Sequence, residues 1–172
     1  KEKEAYDGLD YMEVDRRLGA TESGLKRIYI NHFPADSSEG KRAFTRLKVV
    51  HRENGYALGL AFPQTGRQHQ IRVHSMFKGL PLIGDKLYLG NFKMFQRFKD
   101  LVASPEDHDL MELPRHALHA IALRIPYKGS LKVFSSNIPS DLKCWITSNL
   151  KIKIDPLEES LNREIQAYFN KD

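Results

Sequence analysis

"RLKVVHRENGYALGLAF", residues 46–62, decides the fold class. Asn54-Gly55 stands between two apolar-patterned runs, and a type I′ turn needs positive φ at both of its central positions, which Asn and Gly adopt with little strain. The stretch therefore predicts an antiparallel hairpin. Upstream, "IYINHF" (28–33) predicts a short strand and "PADSSEG" behind it a loop. Downstream, Val73, Met76, Phe77 and Leu80 recur at helical spacing, and Gly79 with Pro81 supplies the stop. Thr65 and Gln68 have capping-box spacing, which predicts that this helix begins near Gly66. "NFKMFQRFKDLVA" (91–103) predicts a second amphipathic helix and "ASPEDHDLMELP" (103–114) a polar loop. "RHALHAIALRIP" (115–126) and "SLKVFSS" (130–136) predict strands joined through Lys128 and Gly129, and "SDLKCWITSNL" (140–150) and "DPLEESLNREIQAYF" (155–169) predict helices. Strands with interspersed helices and no βαβ rhythm predict an α+β fold, with a mixed, largely antiparallel sheet flanked by helices, in a single domain over residues 1–172.

The formal charge of +5 and a pI near 9.3 favour a polyanionic partner. The excess is concentrated between residues 65 and 99, where Arg67, Arg72, Lys78, Lys86, Lys93, Arg97 and Lys99 stand against the single acid Asp85. Such a stretch, holding a helix start, suits phosphate or carboxylate; the bland alternative is a solvated basic face. His69, His74, His116 and His119 have the wrong spacing for a metal site, since helical positions five apart diverge and strand positions three apart face opposite ways. Cys144 is the sole cysteine, which leaves no internal disulfide, and its apolar helical context predicts an inert buried thiol. Tyr88 and Phe92 suit base stacking, although aromatics at such spacing more often belong to the core. No apolar run reaches the roughly 18 residues of a membrane span, and no signal-peptide core is visible, so the chain reads as soluble and cytoplasmic. Composition and spacing do not name a reaction.

The run "TGRQHQIRVHSMFKGLPLIGDKLY" (65–88) resembles the most characteristic segment of the RluA-type pseudouridine synthases: T-G-R-x-H-Q-I-R-x-H, then G-x-P, then G-D-x-x-Y. Thr65, Gly66, Arg67, His69, Gln70, Ile71, Arg72, His74, Gly79, Pro81, Gly84, Asp85 and Tyr88 fall on that pattern. "SSEGKRAFTRLKVV", "RHALHAIALRIP" and "VFSSNIPSDL" resemble flanking segments of the family, so the likeness covers about residues 12–150 and leaves a terminal helix over 151–172. Leu89 departs from it, standing where the family usually has Gly. The family's catalytic aspartate lies in an H-R-L-D-x-x-T-S-G segment that does not occur in these 172 residues, Leu9-Asp10 being the nearest imitation. The chain is therefore expected to be the C-terminal part of a pseudouridine synthase catalytic domain, inactive alone.

The resemblance implies isomerisation of uridine to pseudouridine in structured RNA, ribosomal or transfer, without a cofactor or metal. It makes Arg72 the catalytic aspartate's partner, places Arg67, His69 and Gln70 along the site, and offers Lys78 and Lys86 to phosphates. Thr65, Asp85 and Tyr88 are expected to shape the loop. A non-catalytic RNA-binding module with the same basic surface is the alternative. The chain is also expected to self-associate or to pair with an N-terminal half.

Overall fold

A computed structural model describes residues 10–20 and 27–170. The chain divides between Ala117 and Leu118 into two compact units. The first is built on four strands: β1 (Tyr11–Ala20), β2 (Ile30–Phe33), β3 (Lys41–Glu53) and β4 (Tyr56–Pro63). They form one antiparallel sheet in the order β2-β1-β3-β4. The β3–β4 hairpin turns at Asn54 and Gly55, with φ of 52° and 73°, as the sequence predicts. β1 is a strand that sequence reading passes over, although Met12, Val14 and Leu18 alternate inward from it and are buried.

Helix α1 (Gln70–Phe77) lies on the inner face of this sheet. Its predicted stripe joins two apolar clusters. Val73 and Met76 pack with Leu18, Ile30 and Ala43, while Phe77 and Leu80 pack against Met12, Val14, Leu47 and Val49. Burying a side chain such as Val73 stabilises by about 2 kcal/mol, so the stripe fixes how α1 presents its other residues. A single π-helical turn (Lys86–Gly90) follows, then α2 (Phe92–Lys99) and α3 (Pro105–Met111). α3 corrects the predicted loop. Ser104 and Asp107 form a complete capping box with Pro at the helix start, and Asp107 is paired with Arg97.

The second unit holds the hairpin β5 (Ala122–Tyr127) and β6 (Ser130–Ser135), then α4 (Ser140–Leu150) and α5 (Ile154–Phe169). The predicted strand from Arg115 thus begins only at Ala122. Leu157, Leu161 and Ile165 make the buried stripe of α5, and Lys143 on α4 reaches Glu158 on α5 at 2.8 Å. Cys144 is exposed, contrary to expectation, because α4 buries Ile146 and Leu150 and so turns position 144 outward. The hairpin leaves Leu123, Ile125, Tyr127, Leu131, Val133 and Phe134 exposed. No helix among the described residues is long and apolar enough to cross a membrane.

Candidate active site

The basic motif divides its polar side chains between scaffold and site. Thr65 Oγ1 accepts from the Phe44 amide at 3.0 Å and donates to Gln70 Oε1 at 2.8 Å. Gln70 Oε1 also accepts from the Arg67 amide, while Gln70 Nε2 donates to Phe44 O and to Thr45 Oγ1. His74 Nδ1 lies 2.9 Å from the same Thr45 hydroxyl and is fully buried. Thr65, Gln70 and His74 therefore bolt α1 to β3. This corrects two expectations. The helix begins at Gln70 rather than near Gly66, and Thr65 has a tertiary partner instead of a capping box with Gln68. Gln70 is buried with its whole amide committed to these partners.

Arg72, one residue before Val73 and two after Gln70, points the other way. Its Nε donates to Asp85 Oδ2 and its Nη2 to Asp85 Oδ1, both at 2.7 Å. The Asp85 side chain has no exposed surface and that of Arg72 is 13% exposed. Asp85 Oδ1 also accepts from the amides of Leu87 and Tyr88, capping the π-helical turn. Gly84 makes the approach feasible: its φ is +74°, and a Cβ there would run into the Arg115 carbonyl. The guanidinium lies over the Tyr88 ring, 4.9 Å from its centroid. A side-on pair uses Nε and Nη2, so the end-on edge formed by Nη1 and Nη2 remains, and Nη1 has no hydrogen-bond partner among the described residues. Arg72 is thus a rigid cation with one edge fixed and one edge offered.

Tyr88 is buried, its hydroxyl 3.0 Å from both the Ile30 nitrogen and His69 Nδ1, and its ring packs on Tyr29. Burial pushes its hydroxyl up to about 12. Burial, and then the Arg72 charge, push His69 down to about 4, so the ring stays neutral. His116, which sequence reading considered only as a metal ligand, feels the same Arg72 and is also lowered, chiefly by burial. Its signal was its place in the "RHALHA" segment. Arg67 is exposed at the helix start with Nε on Arg42 O at 3.0 Å. Lys86 Nζ donates to Pro114 O at 2.6 Å and sits over the Phe98 ring, which spends much of its reach on bracing the loop. Lys78 caps the C-terminus of α1, half-buried beside Phe77. Phe92 is half-buried against the core. Asp10, the acid of the imitation segment, is exposed and paired with Arg52, and Leu9 lies outside the described residues. No group of three or more His, Cys, Asp or Glu among the described residues could hold a metal ion.

No protein-family model matches the chain. It is 29% identical, over 80% of its length, to the ribosomal large subunit pseudouridine synthase D of Blochmanniella floridana, 43% of which it covers. It is 36% identical, over 70% of its length, to an uncharacterized RNA pseudouridine synthase of Chlorobaculum parvum, and covers 37% of that protein. To the ribosomal large subunit pseudouridine synthase D of Pseudomonas aeruginosa it is 35% identical over 65% of its length, covering 34%. The chain belongs to the RluA-type pseudouridine synthase family. It spans less than half the length of these curated relatives.

Proposed function

We propose that the protein containing this chain isomerises uridine to pseudouridine in structured RNA, with ribosomal RNA as the first substrate to test, because two of the relatives are named for the ribosomal large subunit. The N-glycosidic bond breaks, the base turns, and a carbon of the base bonds to the sugar in place of the nitrogen, so no oxidant and no cofactor are needed. The nucleotide must leave its stack, at a cost of a few kcal/mol that stacking and backbone contacts offset. A nucleophilic carboxylate in a closed pocket needs a cation to keep it ionised and to fix its rotamer.

The observation that carries this reading is the open end-on edge of Arg72. Asp85 does not take the nucleophile's part, because both of its oxygens are committed to Arg72 and one also to two amides in a fully buried position. Its role is to hold Arg72, whose free edge receives a second carboxylate, the catalytic aspartate of the H-R-L-D segment. Arg67, at the exposed helix start, and Lys78 contact phosphates, with Lys86 contributing from the loop. The exposed apolar side chains of β5 and β6 are covered by further chain of the kind that makes the relatives longer. The site and its RNA are cytoplasmic.

The decisive experiment compares the full-length protein with the 172-residue chain on structured ribosomal RNA. The full-length protein should convert uridine and the shorter chain should bind RNA, with a steep salt dependence, without converting it. Conversion by the shorter chain would overturn the assignment of a second carboxylate. Hydrogen exchange tests the hairpin: β5 and β6 amides should be protected in the full-length protein and fast in the short chain, and equal rates would reject the covering. A dimer of the short chain with slow β5 and β6 exchange would assign the surface to a second copy instead.

A further inference from the structure

His69 has a geometry that the carboxylate chemistry leaves without a role. Its backbone is left-handed, with φ 56°, which is uncommon for a residue with a side chain and costs strain. Three groups converge on the Tyr88 hydroxyl: the Ile30 nitrogen at 3.0 Å, the Ile30 carbonyl at 3.3 Å and His69 Nδ1 at 3.0 Å. The hydroxyl has a single proton. Given to Nδ1, it would abandon the Ile30 carbonyl, which sits on β2 at the edge of the sheet. Given to that carbonyl, it leaves the oxygen free to accept from both the Ile30 amide and a protonated Nδ1, and all three contacts are satisfied. A neutral imidazole with its proton on Nδ1 carries a lone pair on Nε2. That atom has no partner among the described residues, and it is not among the buried side-chain atoms that lack one.

The charges around the ring keep it in this form. Burial opposes a second proton most strongly, Arg72 and His116 oppose it too, and Asp85 favours one. Tyr88 ties the two functional groups together, since its ring carries the Arg72 guanidinium and its hydroxyl carries His69.

Resting on the reading above, we propose that His69 is a specificity residue: its Nε2 accepts a hydrogen bond from a donor of the target nucleotide, either the uracil imide N–H or the ribose 2′-hydroxyl. An acceptor facing the imide admits uracil and disfavours cytosine, whose ring nitrogen at that position carries a lone pair. An acceptor facing the sugar selects RNA over DNA.

The first test is nitrogen NMR of the imidazoles in the 172-residue chain. His69 should show a protonated Nδ1 and a bare Nε2 at neutral pH, and Tyr88→Phe should scramble that preference. A proton on Nε2 overturns the proposal whatever the enzyme does. The second uses the full-length protein on RNAs carrying uridine, 2′-deoxyuridine or N3-methyluridine at the target. His69→Ala should lower kcat/KM on uridine by about tenfold, as loss of one hydrogen bond predicts, with partial rescue by His69→Gln, whose carbonyl also accepts. On the RNA that lacks the relevant donor, the wild type and His69→Ala should be equal. Equal loss on all three RNAs rejects the role of His69 while leaving the enzyme assignment intact; an unmodified uridine with the wild type rejects the enzyme assignment itself.

Discussion

Arg72 and Asp85 meet side-on, with both nitrogen–oxygen distances at 2.7 Å and the carboxylate wholly out of water. A carboxylate in that position is tolerable only because a guanidinium and two backbone amides share its charge. The pair therefore fixes the loop at residues 84–90 and the direction of Arg72 together. Arg72→Ala should destabilise the chain by about 3 to 5 kcal/mol, since it strands a buried charge. Asp85→Asn retains an acceptor for the Leu87 and Tyr88 amides but loses the charge, and should fall by a smaller amount. Urea unfolding of the two variants measures both; equal stability to wild type would contradict the pairing.

Gln70 is the second brace. Its amide makes four hydrogen bonds in a buried position. Gln70→Ala should cost about 2 kcal/mol by leaving the Phe44 carbonyl and the Arg67 amide without this partner. RNA affinity, measured well below the unfolding midpoint, should change little. A large loss of affinity in a variant of normal stability would return Gln70 to the lining of the site.

Gly84→Ala should be more damaging than its size suggests. Positive φ strains any side chain there, and the added Cβ meets backbone, the Arg115 carbonyl, which has no side-chain freedom to give. A loss above about 3 kcal/mol is expected, with shifted amide signals around Arg115 and Asp85. A Gly66→Ala control, where a Cβ meets nothing within 4 Å, should be close to neutral.

The buried histidines predict an acid limb. Burial, and then His32, push His74 from 6.5 to about 4. As pH falls through 6.5 the unfolded ring takes up a proton that the folded ring refuses until about 4, so stability is complete above 6.5 and lost between the two values. A shift of this size corresponds to about 3 kcal/mol at most for His74, and His69 adds in the same direction. The urea midpoint should decline across that window, and His74→Asn should flatten the decline. A midpoint that rises on acidification would have the wrong sign.

Local signals were legible where local forces decide. Asn54-Gly55 needed only its own φ angles, and the Val73, Met76, Phe77 and Leu80 stripe only helical spacing. Thr65 misled because its spacing to Gln68 fits a capping box, whereas the hydroxyl is claimed by Phe44, distant in sequence but adjacent in the sheet. α3 was hidden by its polarity, with Asp107 and Met111 alone buried, although Ser104, Pro105 and Asp107 spell out its start. Cys144 was misplaced because apolar content says that a helix is buried on one side but not which side. Asp85 as the partner of Arg72 was beyond reach, since thirteen residues and a loop separate them and no periodicity links the two.

The most direct measurement is turnover by Arg72→Lys in the full-length protein. An ammonium keeps the charge that Asp85 requires but has no fork to hold one carboxylate on each edge. The variant should fold, bind RNA with a Kd within about threefold of wild type, and convert uridine at least about a hundredfold more slowly. Conversion at near wild-type rates would contradict the account, because the second edge of Arg72 would then have no work to do.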